Sequence, residues 1–455
     1  MHNSQLWENI LAYDLDDNSS EYGFLLRLAN ENYWTKAFTL RAIEEYKKFM
    51  YLAATSDFMV SPSEIIDIVW HQHLIFTQSY QQFCDILGKQ VQHIPSTHNK
   101  EDFKKFKRAK DRTIEEYKEN FGETPVDIWQ FNSMFDSLNL AKAKFKIRAV
   151  LVFSILTVVL ISIPAYYFLK PLYLSINNPD FIYGYLAIIL CGFLTLEIFN
   201  RKKLKSITTK FDKSSFIYNL DAYELVYLKT QRIENVVNGV INELVEDGTI
   251  SVNEDYKINL AKKINLSTIE KRQAVETLKE TDSINYAYLV RALVIKPAFF
   301  NIPNAMNAFK KYFNKSKHFA QLFYINFIVL ALIIIIGFTR VITGVSREKP
   351  IVQVSLVVIL LAVAIIIYLK RLTGLFCAKT IPEIYKTAII PGRSLSNDWQ
   401  WQYFLMGSGV MAASFLPVIK HSNKKYLGAN GGDASSGCGS SCGSSCSSCG
   451  GCGGD

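Results

Sequence analysis

Four long, mostly apolar runs set the hydropathy pattern of this chain. They come in two pairs, Ile147–Leu169 with Phe181–Phe199 and Gln321–Ile342 with Ile351–Leu369. The first run holds 23 residues, roughly 34 Å as a helix, against a hydrocarbon core about 30 Å thick. Backbone groups at that depth are satisfied only within helices, so two transmembrane helix pairs are predicted. Outside them the pattern changes to amphipathic periods. Tyr46, Phe49, Met50 and Ala53 recur at helical spacing, and the stripe Ile66, Val69, His73, Thr77, Tyr80, Cys84 and Leu87 predicts one continuous helix up to Gly88. Ser61-Pro62-Ser63-Glu64 reads as its capping box, with Ser61 at the N-cap. Phe103, Phe106, Ile114, Tyr117 and Phe121 mark a further helix that stops at Gly122.

Between the span pairs, helices are predicted over 221–229 and 233–246, then the strands GTISVN and YKINL joined through Glu254-Asp255. Helix, turn, helix and hairpin is the order of a winged-helix module. Residues 267–311 continue as helices, with Pro297 and Pro303 expected to interrupt them. After the fourth run, Tyr403–Ile419 is apolar but only 17 residues long, which suits a re-entrant segment or a marginal fifth span. The fold class is therefore mainly α. The domain plan is a helical domain (1–141), a transmembrane hairpin (142–200), a winged-helix-like and helical module (201–320), a second hairpin (321–370), a membrane-proximal segment (371–427) and a tail (428–455).

Charge orients this plan. Lys142, Lys144, Lys146 and Arg148 precede the first run and Arg201, Lys202, Lys203 and Lys205 follow the second. Lys310, Lys311, Lys315 and Lys317 precede the third, and Lys370 and Arg371 follow the fourth. The opposite loops carry only Lys170, Arg340, Arg347 and Lys349. The positive-inside rule then places both termini and the 201–320 region in the cytoplasm of a multi-pass cell-membrane protein. The start MHNSQLWENILAYDLDD has no basic segment followed by an apolar one, so no cleaved signal peptide is expected. The net charge of +9 follows from this asymmetry and calls for no nucleic acid. The second helix of the winged-helix-like module also carries Glu234, Glu243 and Glu246 against Arg232, without the basic footprint that phosphate contacts need. The expected partners are the lipid bilayer and a protein bound by the cytoplasmic modules.

The segment IIDIVWHQHLIFTQSYQQFC carries the most specific signal. Asp67, the WHxHL string Trp70–Leu74, Tyr80, Phe83-Cys84, Gly88 and His93-Ile94-Pro95 resemble the domain found in plant and bacterial glycine-rich-domain proteins. The whole chain is similar to an uncharacterised bacterial membrane family in which that domain precedes membrane spans and a Gly- and Cys-rich tail. The resemblance implies architecture and no activity, and this tail is richer in serine than the most glycine-rich members. On a helix His71 and His73 lie about 200° apart and cannot both face one ion. His73 belongs to the apolar stripe and reads as a core residue. A mononuclear site from His71 or His73 with His93 and Asp67 is the metal alternative, since Asp67 and His71 form an i,i+4 pair. Catalysis by Cys84 with His73 is disfavoured by the three helical turns between them.

Of eight cysteines, Cys84, Cys191 and Cys377 are scattered, and Cys438, Cys442, Cys446, Cys449 and Cys452 crowd the end. The tail is low-complexity and is expected to be disordered without a ligand or crosslink. Three uses of it compete: capture of zinc or another thiophilic metal by thiolates, modification of the Gly/Ser/Cys tract as in azole-forming peptide precursors, and a plain flexible tail. No Walker loop, dinucleotide fingerprint, HExxH or nucleophile elbow occurs. The expected function is a non-enzymatic membrane scaffold or sensor with a metal- or redox-active thiol tail. An enzyme using a metal at the WHxHL helix, or a modified precursor, is the alternative.

Overall fold

The computed structural model describes residues 3–16, 20–94, 100–145, 147–253, 255–261, 266–280, 283–395 and 398–429. The five clustered cysteines of the tail and Pro95 lie outside them. The chain is mainly helical. It begins with α1 (Ser4–Ala12), α2 (Phe24–Asn32), α3 (Lys36–Thr55), α4 (Glu64–Ile75), α5 (Thr77–Leu87), α6 (Lys100–Phe121) and the single turn α7 (Val126–Trp129). Two expectations are corrected here. The predicted continuous stripe breaks at Phe76, whose backbone (φ −86°, ψ 64°) ends α4 and turns α5 back. The cap of α4 is Ser63, two residues later than expected: its Oγ accepts from Ile66 N at 3.3 Å, while Ser61 N donates to Thr113 Oγ1 of α6.

The apolar runs form α8 (Ile147–Ser175), α9 (Asn178–Thr208), α15 (Lys317–Val345) and α16 (Val352–Leu375), the last continuing through wide turns to Gly392. Four helices are thus long and apolar enough to cross a membrane. α15 packs against the other three. Their outer faces leave Phe168, Tyr183, Ile359 and Ile366 exposed, as expected where lipid is the solvent. Some of their polar groups pair across the helices. Asn200 and Asn326, both fully buried, exchange amide hydrogen bonds at 2.8 and 2.7 Å, and Arg340 donates to the carbonyls of Tyr173 and Ile176 that end α8. Where the two pairs start, Lys317 N donates to Ala141 O (2.7 Å) and Ala143 N to Lys315 O (2.9 Å), a short antiparallel bridge between the entries to α8 and α15.

Between the pairs stand α10 (Ala222–Thr230), α11 (Ile233–Glu246), β1 (Ile250–Val252), β2 (Lys257–Leu260), α12 (Ile269–Lys279), β3 (Ile284–Asn285), α13 (Tyr286–Val294) and α14 (Pro297–Asn314). Asp221 caps α10 and Glu224 completes a capping box. Strand β2 is central, with Ser251 opposite Asn259 and Lys257 opposite Asn285, both pairings antiparallel. The helical run is interrupted at Pro297, where α13 has ended and α14 starts, as expected, whereas Pro303 sits inside α14, contrary to expectation. Tyr403–Ile419 is not one helix. Trp399–Met406 ends at Gly407 (φ +64°), a tight turn follows, and a new helix begins at Leu416. Most of its large apolar side chains are taken up by protein: Tyr403, Phe404, Phe415 and Val418 are buried, though Met406 is exposed, Tyr403 Oη donates to Asn235 O and Ala412 N to Asn242 Oδ1.

One buried apolar cluster runs from the amino-terminal helices through α10–α14 to the near ends of the long helices. A second, with Tyr173, Phe181, Tyr185, Ile333, Val354 and Leu361, lies at their far ends. The amino-terminal helices and the 201–320 region meet through Lys36, whose Nζ is 2.8 Å from Glu270 Oε1 and whose backbone N–H donates to Glu224 Oε1. Gln273 Nε2 also donates to Glu21 O, and Lys296 pairs with Glu21.

Candidate metal centre

Residues four apart on a helix point the same way, and α4 uses this to present Asp67 and His71 on its outer face. His71 Nδ1 lies 2.9 Å from Asp67 O and 3.2 Å from Asp67 Oδ2. A proton on Nδ1 shared with these oxygens leaves the ring's lone pair on Nε2, an arrangement common for metal-ligating histidines. The third residue arrives from the loop after α5. Gly88 (φ +67°) accepts the left-handed conformation that turns the chain back, and Lys89 Nζ ties it to Ala53 O at 3.0 Å. A relay then fixes the loop: Trp70 Nε1 donates to Tyr80 Oη at 3.1 Å, and Tyr80 Oη donates to Val91 O. His93 is thereby set with Nε2 3.0 Å from Asp67 Oδ1, its ring edge-on to Trp70 (4.7 Å) and to His71 (4.3 Å).

One ligand atom from each of Asp67, His71 and His93 lies within 4.8 Å of the others. Two ligands each about 2.1 Å from a tetrahedral ion are separated by roughly 3.4 Å. The Asp67–His93 separation of 3.0 Å is near that edge. Side-chain exposure grades from 16% for His93 through 34% for Asp67 to 56% for His71, so one side of the group is open. It opens onto a cleft of about 740 Å³ lined by the 58–63 and 89–94 loops, α4 and α6.

His73 is not part of this group. It is fully buried and points the other way, with Nδ1 2.8 Å from Tyr46 Oη and Nε2 3.1 Å from Ser79 Oγ, among Phe24 and Phe83. Burial pushes its pKa down to about 4, so the ring is neutral at pH 7. The break at Phe76 also brings α5 back alongside it, so the axial separation expected between His73 and Cys84 does not hold. Cys84 is itself buried. The positioning pair Trp70 and Tyr80 was visible in the sequence only as part of the string and the stripe. The contribution of α6 to the cleft had no sequence signal, because Phe106 read as part of an ordinary amphipathic period.

No curated protein and no solved structure matches this chain. Residues 30–114, which run from α2 into α6 and contain Asp67, His71 and His93, match the UCP032817-like family.

Proposed function

We propose that the chain is a multi-pass membrane protein whose water-facing amino-terminal module binds a transition-metal ion, zinc in the first instance, through Asp67, His71 and His93, and that it acts as a sensor or scaffold. The observation that carries this is the convergence of three ligand atoms from a helix and a loop within 4.8 Å at the edge of a cleft. Two imidazoles and a carboxylate suit zinc, and three protein ligands leave a fourth position for water or a ligand. The basic flanks of the four long helices support a cytoplasmic face for this module and for α10–α14, since the two pack together. We read α10, α11 and the β1–β2 hairpin as winged-helix-like and protein-facing. Supporting this, α11 is acidic, buries Val236, Val240 and Leu244, and commits Glu243 to Lys271 at 3.1 Å.

The test is metal content and affinity of the full chain in detergent, with the five tail cysteines changed to serine so that their thiols do not contribute. About one equivalent of zinc is expected, lost in Asp67→Asn and in His71→Ala/His93→Ala. Affinity should fall as pH is lowered, because protons compete for the imidazoles. A chain that takes up no zinc at neutral pH would falsify the reading and leave Asp67 as the anion that holds the 89–94 loop to α4. The tail thiols form a second metal-binding candidate, supported by the spacing of Cys446, Cys449 and Cys452. Restoring the five cysteines should add stoichiometric zinc if that holds.

A further inference from the structure

The cleft beside the metal ligands is far larger than an ion needs, and its walls have a definite chemistry. At about 740 Å³ it falls in the range of small-molecule sites. On one side are Asp67 and His71. Across from them α6 contributes Lys107 and Lys110, and Lys89 stands on the loop between. Lys89 spends one of its three N–H donors on Ala53 O. Phe58, Met59 and Phe106, all half-buried, supply an apolar floor. The charges are unequal. Three lysines face two carboxylates, Glu64 and Asp67, which leaves the cleft net positive, and the divalent ion proposed above would add to that excess.

We propose that this cleft binds a soluble phosphate monoester, an inference that rests on the metal reading above. One phosphate oxygen takes the open position on the metal, the others meet Lys107 and Lys110, and the ester's organic part lies on Phe58 and Phe106. A phosphate monoester carries a charge of about −1.5 to −2 at neutral pH, against −1 for a carboxylate, and so matches this excess better. Lysine contacts phosphate as a point charge. The cations that line the cleft are Lys89, Lys107 and Lys110, with Arg112 at its edge 5.9 Å over the Phe58 ring.

The experiment uses the full chain in detergent with Cys438, Cys442, Cys446, Cys449 and Cys452 changed to serine, loaded with Co(II), whose visible absorption reports its ligands. Phenyl phosphate is the probe. It should change the Co(II) spectrum saturably, and at least tenfold more of it should be needed in the Lys107→Ala/Lys110→Ala variant, which should keep wild-type Co(II) affinity and far-UV circular dichroism. A spectrum blind to phenyl phosphate while Co(II) is bound, or equal affinity in the double variant, overturns the phosphate site and leaves the metal reading intact. No Co(II) uptake by the parent chain overturns both. Displacement of phenyl phosphate by phosphatidate in mixed micelles at lower concentration than by soluble esters assigns the cleft to lipid headgroups and overturns the soluble-ester assignment.

Discussion

His73 and His71 are two residues apart on one helix and live in different media, which makes them a paired test of how environment sets a side chain's role. His73 is enclosed by Tyr46, Ser79 and Phe83, so its charged form has no water to solvate it, and its pKa falls from the ordinary 6.5 to about 4. Between those values the unfolded chain binds a proton that the folded chain refuses. The contribution of His73 to stability is therefore complete above pH 6.5 and is lost as pH falls toward 4, by an amount on the order of 3 kcal/mol. Replacing His73 with alanine should cost roughly 1–3 kcal/mol at neutral pH, through the cavity and the orphaned Tyr46 hydroxyl, and should flatten that acid slope. His71→Ala should change thermal unfolding little. Tryptophan fluorescence melts of the full chain from pH 4 to 8 check both, and an unaltered acid slope in His73→Ala would contradict the assignment.

At the scale of elements, most of the helices were legible because amphipathic period and capping chemistry agree. The predicted helix over 233–246 coincides with α11, and the one predicted over 221–229 is α10, shifted by one residue because Asp221 caps it. The failures have local causes. The apolar stripe runs on through Phe76, so the break there has no hydropathic signature: it depends on α5 folding back to place Ser79 against His73. The break of Tyr403–Ile419 at Gly407 likewise has no hydropathic signature, because apolar side chains suit a protein interior as well as a membrane. The candidate site was half legible, since Asp67 and His71 follow from helix geometry while the approach of His93 depends on the turn at Gly88. The cap of α4 gives a direct check on the corrected register. Ser63→Ala should cost about 1 kcal/mol and Ser61→Ala only a few tenths, since the Ser61 contact seen is made by its backbone. Equal losses in thermal melts would restore the earlier start.

At the scale of the molecule, the seam between the amino-terminal helices and the 201–320 region is ionic and buried. Glu270 is held charged by Lys36, and its carboxyl lies below the usual range despite burial. Glu224, a few residues along the same seam, is pushed up to about 8 by burial and by Asp221, although backbone N–H groups of Lys36 and Asp221 favour its anion. A raised carboxyl stabilises the fold below its ordinary 4.5, and that contribution drains away as pH rises to about 8. Glu224→Gln should therefore melt higher than the parent at pH 9 with little difference at pH 5, while Glu270→Gln, which strands Lys36, should melt lower at both. The reverse order would refute the assignment. The bridge that joins Ala141 and Ala143 to Lys315 and Lys317 has a consequence for how the molecule is made. Its two halves are separated by roughly 170 residues of chain, which synthesis at about 5–20 residues per second takes roughly 10–35 s to supply. With the four long helices crossing a bilayer as proposed, the first hairpin must wait in the membrane for that interval with its base unpaired. Assembly then ends at a late clasp, and nascent chains arrested before residue 315 should hold their first hairpin loosely enough for a membrane protease to find it.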